Sequence, residues 1–439
     1  MPLINQPGPL KSLDDWLAWL ETRSPREIEL GLERVQQVLE RLKLKRPRRV
    51  IHVAGTNGKG SSVAILEAML LGSGDRVGSY TSPHLRFYNE RIRVAGEQVS
   101  DADLIAAFER VERVRDALPL TYFEFSTLAA MVIFEARNAE TVILEVGMGG
   151  RLDAVNAIEP DASIITNVSL DHCDWLGTDV ESIAAEKAGI MRAGERVIFV
   201  SESMPDAIAK TAATLDADLR ALGRDFGFRL DDKKSTWNWY GRNSQLQQLP
   251  QPLRAASIQV QNAAGVLALL EALDILSELD KSILDAAIRE LEVPGRLQWM
   301  VAGREWVLDV AHNAESARVL GESLSRYASG RKIIAVMGAM SDKNAAALAE
   351  PLSPWIEQWI AVTAAGPRAA EAGDLAAQIA NVCNRPCLIC DDLPRAMRIA
   401  DRRAGTEGLV LITGSFYVVG PALDELYSRR DGGAVSCSD

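Results

Sequence analysis

The chain has 439 residues, of which 47% are hydrophobic, and this length exceeds what one core usually organises, so we expect two domains. The formal net charge of −12 argues against a general nucleic-acid or anionic-membrane surface, because such partners demand clustered basic charge. No apolar stretch is long enough to span a bilayer, and residues 1–11 lack the basic start and apolar core of an export signal, so we expect a cytoplasmic protein.

The five cysteines are an odd number and do not form a disulfide framework. Cys383, Cys387 and Cys390 are close together, but no second pair or histidine with zinc-ligand spacing follows them. We therefore interpret them as structural thiols rather than as a zinc site.

Two amphipathic helices are predicted at the start of the chain. The first begins near Ser12 and Asp15, and the second runs from about Pro25 to Leu42. The inward-facing residues of the second helix are Ile28, Leu32, Val35 and Leu39.

A glycine-rich turn with one lysine follows, within the sequence IHVAGTNGKGSS that ends at Ser62. The apolar run Val50–Ala54 predicts a buried strand, and residues 61–71 have helical character. Glycines permit the tight backbone, so N–H groups at the helix N-terminus can hold an anion beside Lys59. The pattern departs from G-x-x-x-x-G-K-[ST], because Gly60 lies between Lys59 and Ser61. A plain strand-to-helix turn is the alternative.

Apolar runs typical of strands recur beyond this loop, separated by helical segments. The runs are Val77–Thr81, Thr141–Val146, Ala162–Val168 and Arg196–Val200, and the helical segments include Asp103–Leu118 and Glu124–Arg137. This alternation predicts a parallel sheet with helices on both faces. The segment Lys233–Leu253, rich in Trp, Asn, Gln and Pro, is either a small β appendage or a long loop.

Val293-Pro294-Gly295 marks a predicted domain boundary after two helices, Asn262–Leu276 and Lys281–Leu291. The strands predicted beyond it are Val307–Val310, Ile333–Met337, Ile360–Thr363 and Leu409–Ile412, with a helix at Ala314–Arg326. The predicted fold class is α/β: residues 1–293 form a P-loop-containing, ATPase-like parallel-sheet domain, and residues 294–439 form a smaller Rossmann-like α/β domain.

Glu145 lies at the carboxyl end of a predicted strand, in the segment TVILEVGMGGRLDAVN. Ligands of open α/β sheets gather at this edge, and Mg²⁺ prefers a few carboxylates with waters and phosphates. A buried glutamate without a partner is costly, which favours a metal ligand over a solvated strand-end charge.

Histidines follow two further strands. His172 lies between Asp171 and Asp174, which favours a metal or acid–base role. The role of His84 is more ambiguous, and Ser82 beside it could supply a hydroxyl ligand to a cation. We predict that His52, inside the first strand, is a core residue with satisfied hydrogen bonds.

Three further groups carry charge near predicted strand or helix ends. Lys187 lies in a helical pattern that predicts an ordinary surface lysine. Asp309, His312 and Asn313 close a strand, where capping the next helix is the plain interpretation, and Arg296 at the domain junction could reach phosphates.

Ten segments together resemble the folylpolyglutamate synthase and dihydrofolate synthase family. They are GTNGKGS, TSPHL, NERIRV, TYFEF, LEVGMGGRLDAVN, LDHCDWLG, EKAGI, PGR, DVAHN and ITGSFY. The resemblance extends from the first helices to the last strand, and GKGS with TSPHL is similar to the folate branch of the wider Mur-ligase superfamily.

The resemblance implies an ATP-dependent amide ligase with an acyl phosphate intermediate, two Mg²⁺ ions and a carbamylated Lys187. It implies the catalytic residues Lys59, Lys187, His172 and His312. It implies the metal ligands Ser82, Glu145 and His172. The implied ATP contacts are Thr56, Asn57, Gly58, Lys59, Gly60, Ser61, Asn262, Arg296 and Asp309.

For a pterin substrate the resemblance implies three segments. These are Glu29, Leu30 and Gly31; Thr121, Tyr122, Phe123 and Glu124; and Leu152, Asp153 and Ala154. Without the resemblance, we would interpret the first segment as the start of an amphipathic helix and the second as a packing aromatic cluster.

The resulting prediction is a monomeric ligase that joins L-glutamate to dihydropteroate and extends reduced folates with further glutamates. The alternatives are a polyglutamylating enzyme only, a Mur-type ligase of cell-wall nucleotides, and a regulatory ATP-binding protein without ligase chemistry. Neither a nucleic-acid nor a membrane partner is expected.

Overall fold

The computed structural model describes residues 12–23, 29–231, 234–252 and 257–431. The helices are α1 (Leu13–Arg23), α2 (Glu33–Leu42), α3 (Lys59–Gly72), α4 (Asp101–Arg115), α5 (Tyr122–Ala136), α6 (Cys173–Leu176), α7 (Val180–Ala188), α8 (Asp206–Thr214), α9 (Ser257–Ala272), α10 (Lys281–Arg289), α11 (Ala314–Tyr327), α12 (Ala345–Ala349), α13 (Ala372–Cys383), α14 (Leu393–Ala404) and α15 (Phe416–Asp431). Within these residues, none of the helices combines the length and apolar character needed to cross a membrane.

The strands are β1 (Arg49–Ala54), β2 (Val77–Tyr80), β3 (Ile92–Val94), β4 (Glu97–Gln98), β5 (Thr141–Glu145), β6 (Ala162–Ile165), β7 (Arg196–Phe199), β8 (Asp218–Ala221), β9 (Gly227–Asp231), β10 (Thr236–Tyr240), β11 (Gln245–Pro250), β12 (Gln298–Ala302), β13 (Arg304–Asp309), β14 (Ile333–Met337), β15 (Gln358–Val362), β16 (Cys387–Cys390) and β17 (Leu409–Thr413).

The described residues form two compact units. Unit 1 takes those within Met1–Pro83, Asn89–Gln251 and Gln261–Arg289, and unit 2 takes those within His84–Tyr88, Pro252–Val260 and Glu290–Asp439. Residues 84–88 therefore belong to unit 2 although unit 1 flanks them on both sides in sequence.

Unit 1 contains an eight-stranded sheet in the order β4-β3-β2-β5-β1-β6-β7-β8. Strands β2, β5, β1, β6, β7 and β8 run parallel, which confirms the predicted sheet. A hairpin of β3 and β4 adds an antiparallel edge that the prediction lacked. Its turn has positive φ at Ala95 (54°) and Gly96 (83°), the geometry of tight turns that match strand twist.

Helices cover both faces of this sheet. The Ser79 hydroxyl donates to Glu67 of α3 at 3.0 Å. The neighbouring Gly78 lies against α5, where a Cβ atom would be 2.5 Å from the Phe134 ring. Because successive strand residues point to opposite faces, α3 and α5 lie on opposite sides of β2.

Strand β1 lies between β5 and β6. Val53 is opposite Glu145 of β5, and Ala54 is opposite Ile165 of β6. The carboxyl ends of parallel strands share one edge, so the loop after β1, the end of β5 and the residues after β6 meet there.

The second predicted helix starts later than expected. Helix α2 begins at Glu33, whereas Pro25 and Ile28 lie outside the described residues. Just before this helix, the Gly31 amide donates to the Leu152 carbonyl at 3.1 Å. This tertiary hydrogen bond holds the chain in a non-helical path before α2.

The segment Lys233–Leu253 takes the first of its two predicted forms. Strands β9, β10 and β11 make a three-stranded antiparallel sheet, while Lys233 and Leu253 themselves are outside the described residues. Trp237 and Trp239 of β10 are fully buried, and the Trp239 indole donates to the Ala264 carbonyl of α9 at 3.0 Å. The tryptophans thus attach this small sheet to unit 1.

Unit 2 contains a six-stranded sheet in the order β12-β13-β17-β14-β15-β16, parallel except for β12. Adjacent residues of β13 serve two cores: Val307 packs in the cluster of Leu324 from α11, and Leu308 packs in that of Leu423 from α15. The predicted second α/β domain is confirmed, with one antiparallel edge strand added.

The three cysteines in the described part of unit 2 pack in these cores. Cys390 is buried in the cluster of Leu308, and Cys383 and Cys387 pack against the cluster of Val307. Burial raises the pKa of the Cys387 thiol to about 12, so the thiol is protonated at neutral pH. These contacts are those of packing groups.

His52 is buried in β1 as predicted. Within the described residues neither ring nitrogen meets full hydrogen-bond geometry, although a polar interaction with the Ile158 backbone acts to raise the pKa of the ring. Burial, and secondarily the charge of Arg192, lowers the pKa of His52 to about 3. The imidazole is therefore neutral over most of the pH range in which the protein folds.

Acid should destabilise the fold through His52. Between about pH 6.5, the pKa expected in the unfolded chain, and the folded value near 3, only the unfolded state binds the proton, so stability falls as pH falls. We expect His52→Gln to flatten this dependence by up to about 1.4 kcal/mol per pH unit in urea unfolding measurements.

Comparing His52→Gln with the unsubstituted protein isolates the contribution of His52 to the pH dependence of stability. Burial raises the pKa values of Asp153 and Glu195 to about 6 and about 7, which acts with the opposite sign but equally in both proteins. Equal pH slopes for the two proteins would contradict the assignment.

Candidate active site

The turn between β1 and α3 is tied to the residues that follow β6. The amides of Thr56 and Asn57 donate to the Asn167 carbonyl and side-chain oxygens at 3.1 and 2.8 Å. The Thr166 hydroxyl donates to the Asn57 carbonyl at 2.6 Å. Asn167 and Thr166 thus fix the path of the loop, a role that the sequence analysis missed because two separate strands must be adjacent for it.

Two positions of this loop require glycine, because neighbouring side chains lie too close for a Cβ atom. A Cβ atom on Gly55, whose φ is 144°, would lie 1.8 Å from the Thr166 hydroxyl. A Cβ atom on Gly58, whose φ is 85°, would lie 2.9 Å from the side-chain oxygen of Asn262 in α9. Asn262, which the sequence places some 200 residues downstream, is therefore beside the loop.

Lys59 is the first residue of α3 and closes over the loop. Its ammonium group donates to the carbonyls of Gly55 and Thr56 at 3.1 and 3.2 Å. The first-turn amides of a helix have no intrahelical acceptor, and the helix dipole favours negative charge there. The loop residues 56–61 thus form a helix start that is suited to bind an anion, with the Lys59 cation beside it.

Glu145 lies next to this helix start. Its side chain is only 5% exposed, it accepts the Ser82 amide at 3.1 Å, and a Cβ atom on Gly60 would be 3.8 Å from its carboxylate. The structure therefore brings Ser82 and Glu145 together beside Gly60. A hard oxygen donor at the anion site suits a magnesium ion that also contacts phosphate.

His172 caps the short helix α6 in the left-handed region, with φ of 50°, and its ring is exposed. Its amide donates to the carboxylate of the preceding Asp171 at 2.9 Å. Across the described ranges, the side chains of His, Cys, Asp and Glu do not form a metal-binding group of three or more. A cation at Glu145 would thus need additional oxygen ligands from Ser82, water or phosphate.

Lys187 is buried, and the prediction of an ordinary surface lysine is wrong. Its residue is 3% exposed in the last turn of α7. Burial, followed by repulsion from Lys59, lowers the pKa of Lys187 to about 7, against the attraction of Asp171 and Asp153. The sequence signal for this burial is weak, because Lys187 shares its face of α7 with Ile183 and Ala184 only and not with a longer apolar stripe.

Close packing of a glycine turn allows α7 to approach the site. A Cβ atom on Gly150 would lie 2.9 Å from the Glu186 carbonyl and 3.2 Å from that of Lys187. The same turn leads to Asp153, which accepts the amides of Met148 and Val155 at 2.9 and 3.0 Å. Burial raises the pKa of Asp153 to about 6.

The three segments that the resemblance implied for a pterin lie near the carboxyl ends of the parallel strands of unit 1. The hydrogen bond from Gly31 to Leu152 joins the first and third. The second includes Phe123, whose ring lies against Gly147, since a Cβ atom there would be 2.6 Å away. Phe123 is only partly buried, so part of its face stays available for stacking.

The carboxylates of two implied substrate residues are joined by Arg34. Its guanidinium donates to Glu124 at 3.0 Å and to Glu29 at 2.9 Å. Glu124 also accepts the Thr121 amide at 2.8 Å, and Thr121 caps α5 in return. Arg34 thus holds Glu29 and Glu124 together. The sequence did not indicate this role, because the pattern of α2 is that of a helix with Arg34 on its solvent-exposed face.

Unit 2 has its own polar cluster at the carboxyl end of β13. Asp309 accepts the amides of Leu297 and Ala311 at 2.7 and 2.8 Å. Burial raises its pKa, and the nearby charge of Arg296 opposes this. Asn313 caps α11, which confirms the plain interpretation of that residue.

Phe416 completes this cluster. The Arg296 guanidinium lies 5.2 Å from the Phe416 ring centre, and the His312 ring centre lies 6.3 Å from it. The His312 Nδ1 atom contacts the Val310 carbonyl at 2.9 Å. His84, which also belongs to unit 2, packs on Tyr88 with ring centres 5.8 Å apart.

Residues 53–229 match the Mur ligase middle domain, and residues 295–416 match the glutamate ligase domain of Mur ligases. The chain is 36% identical to the dihydrofolate synthase/folylpolyglutamate synthase of Escherichia coli, covering 99% of this chain and 100% of that protein. It is 31% identical to the protein of the same name from Bacillus subtilis, covering 92% and 97%.

Two solved structures extend the likeness to three dimensions. The E. coli FolC structure in complex with DHPP and ADP has a TM-score of 0.91 at 36% identity, covering 97% of this chain and 100% of that one. A bifunctional folylpolyglutamate synthase/dihydrofolate synthase with Mn, AMPPNP and L-glutamate bound has a TM-score of 0.87 at 39% identity, covering 96% and 100%.

The pKa of Lys187 can be measured directly. We expect its ammonium group to titrate near pH 7 in NMR spectra of ¹⁵N,¹³C-lysine-labelled protein, and Lys59→Met to raise this value by removing a like charge. A Lys187 signal that titrates near the ordinary lysine value of about 10.4 would contradict the burial of this amine.

Proposed function

Because the chain belongs to the dihydrofolate synthase/folylpolyglutamate synthase family of Mur ligases, we propose that it joins L-glutamate to 7,8-dihydropteroate and extends reduced folates with further glutamates. The observation that carries this proposal is the anion-binding start of α3, with Lys59 over it and the Ser82–Glu145 pair beside it. The relatives with ADP and DHPP, or with AMPPNP, Mn and L-glutamate, support the same ligand classes here.

The proposed reaction transfers the γ-phosphoryl group of ATP to the carboxylate of the pteroate or folate. The amine of glutamate then attacks the acyl phosphate, and an amide forms as phosphate leaves. Lys59 and the amides of residues 56–61 would hold the phosphates and stabilise the charge that moves between them.

Ser82, Glu145 and His172 are the proposed ligands of two magnesium ions. The buried Glu145 carboxylate fits the preference of magnesium for a few carboxylate ligands together with water and phosphate. When bound, magnesium would neutralise charge on the phosphates. Asn262 supplies a further ATP contact beside Gly58.

Lys187 is proposed to carry a carbamate. A neutral amine attacks carbon dioxide, forming an N–C bond and releasing one proton, and a pKa near 7 leaves much of the amine neutral at physiological pH. The product is an anion beside the Lys59 cation, which replaces a repulsive pair by an attractive one.

The acceptor is proposed to bind along Glu29–Gly31, Thr121–Glu124 and Leu152–Ala154. Phe123 offers a partly exposed ring on which a flat pterin can stack, and Asp153 offers carboxylate oxygens to its N–H donors. In unit 2, Arg296 and Asp309 are proposed to contact ATP, and His312 the glutamate or the intermediate.

The division of these roles follows the proposed domains. Residues 1–293 would bind ATP and pterin, and residues 294–439 would contribute to ATP and glutamate binding. That the enzyme is cytoplasmic and has no nucleic-acid or membrane partners stays a prediction from composition and charge, and that it is a monomer also stays a prediction.

The substrate that accepts glutamate distinguishes the proposed activity from its alternatives. In an ADP-release assay with ATP, Mg²⁺ and L-glutamate, we expect turnover with dihydropteroate and with tetrahydrofolate, and none with a muramyl nucleotide. Turnover with tetrahydrofolate but not with dihydropteroate would indicate an enzyme that only extends folates with further glutamates. ATP binding without glutamate-dependent ADP release would contradict the ligase and favour a regulatory protein.

Lys187→Ala should lose activity by roughly a hundredfold or more in kcat, because an anion positioned at the reacting phosphate is removed. Added bicarbonate should not restore the variant, which has no amine, whereas short-chain carboxylic acids should do so in part. Lys210→Ala on the surface of α8 is the control. Full activity of Lys187→Ala would exclude the proposed role.

A further inference from the structure

Asn156 is the last residue of the segment LEVGMGGRLDAVN and is not among the proposed site residues. It is only 4% exposed, and its side-chain nitrogen donates to the carbonyl oxygens of Arg151 and Gly189, both at 3.0 Å. Arg151 directly follows the glycine turn that leads to Asp153, and Gly189 directly follows α7. One buried side chain of unit 1 thus joins the glycine turn to the end of α7.

The carboxyl end of α7 depends on donors from outside the helix, because the last carbonyl groups of a helix lack intrahelical amide partners. The Arg151 amide donates to the Glu186 carbonyl at 2.8 Å, and Asn156 supplies the donor for Gly189. A Cβ atom on Gly189 would lie 2.7 Å from the Arg151 Cα atom, so the two backbones are in direct contact. Lys187 lies between the two tied positions, and its place depends on both hydrogen bonds.

Arg192 fixes the orientation of the Asn156 amide. Its guanidinium donates to the Asn156 carbonyl at 3.0 Å and to the Asn156 side-chain oxygen at 3.1 Å, and it pairs with Glu159 at 2.6 Å. The nitrogen of the Asn156 side chain therefore faces the two carbonyls, and its oxygen faces the cation. A buried amide that is bonded at both ends in this way holds one rotamer, and rotation would leave polar groups unpaired.

We propose that Asn156 is a positioning residue that acts through Lys187, by holding the end of α7 against the glycine turn so that the buried amine carries its carbamate beside Lys59. Without the Asn156 hydrogen bonds, the end of α7 gains freedom and water reaches the Lys187 amine. A hydrated amine is protonated more readily and then does not react with carbon dioxide. This inference rests on the proposed carbamate of Lys187.

The principal test is Asn156→Ala, with Asn89→Ala as its matched control. The Asn89 side chain also donates to a backbone carbonyl of unit 1, that of Val99 at 2.8 Å, but it does not contact α7. The carbamate is measured by ¹³C NMR of the folded protein in ¹³C-bicarbonate, well below the unfolding temperature of each variant. Its signal is assigned with Lys187→Ala, which should lack it. Carbamate occupancy is the fraction of protein molecules that show this signal.

We expect Asn156→Ala to lower the equilibrium constant for carbamate formation by roughly tenfold, the factor that one or two lost hydrogen bonds correspond to. The kcat for ADP release should fall in proportion to the carbamate occupancy. Asn89→Ala should keep the parent occupancy even where it loses stability. Equal occupancy in Asn156→Ala and the parent chain would overturn the inference. A parent chain without a signal that depends on Lys187 would overturn the proposed carbamate, and this inference with it.

A double variant shows whether Asn156 acts through Lys187. In the Lys187→Ala background, Asn156→Ala should lower kcat no further, because two residues that act as one unit are not additive. A further loss as large as the loss in the parent background would show that Asn156 acts independently of Lys187, which would overturn the inference.

Arg192→Gln is the second variant, in case Asn156→Ala does not fold. It removes the guanidinium that orients the Asn156 amide and leaves the two donors of that amide in place, so we expect a smaller loss in carbamate formation, about threefold. Arg46→Gln is its control, because Arg46 donates to the Glu159 carbonyl at 3.2 Å and not to Asn156. Equal carbamate occupancy in Arg192→Gln and Arg46→Gln would then overturn the inference.

Discussion

The position of β1 between β5 and β6 is the constraint on which the site of unit 1 depends. It places the loop of residues 55–61 against Thr166 and Asn167 on one side and against Glu145 on the other. A parallel sheet with any other neighbours for β1 would separate these groups. The hydrogen bonds from the loop to the exit of β6 then fix the path of the loop, which lowers the cost of ordering it when an anion binds.

The second organising effect is the burial of charge. Lys59, Lys187, Asp153 and Asp171 interact electrostatically in a region where Lys187 and Asp153 have little exposure. Water would screen such charges, whereas burial moves the pKa values of Lys187 and Asp153 towards neutrality. Perturbed groups of this kind mark functional sites, and here they adjoin the anion-binding helix start.

In unit 2 the sheet separates two cores and carries its polar residues at the carboxyl end of β13. Arg296, Asp309, His312 and Phe416 come from three places in the sequence and meet there. Residues 84–88 add a further element to this unit, because the Leu85 backbone approaches Gly420 of α15 and the Leu85 side chain approaches Gly295. The ion pair between Arg86 and Asp424 of α15 holds the same stretch of chain.

Much of the architecture was predictable from local pattern, because apolar runs and glycine turns report on strands, helices and the phosphate-binding loop directly. Sequence alone determined the α/β class, the strand–loop–helix turn at Lys59 and the strand-end position of Glu145. It failed for the start of α2 and the burial of Lys187. Only the tertiary structure decided these, since each depends on contacts with distant residues, such as Leu152 for Gly31 and Gly150 for Lys187, that no local periodicity encodes.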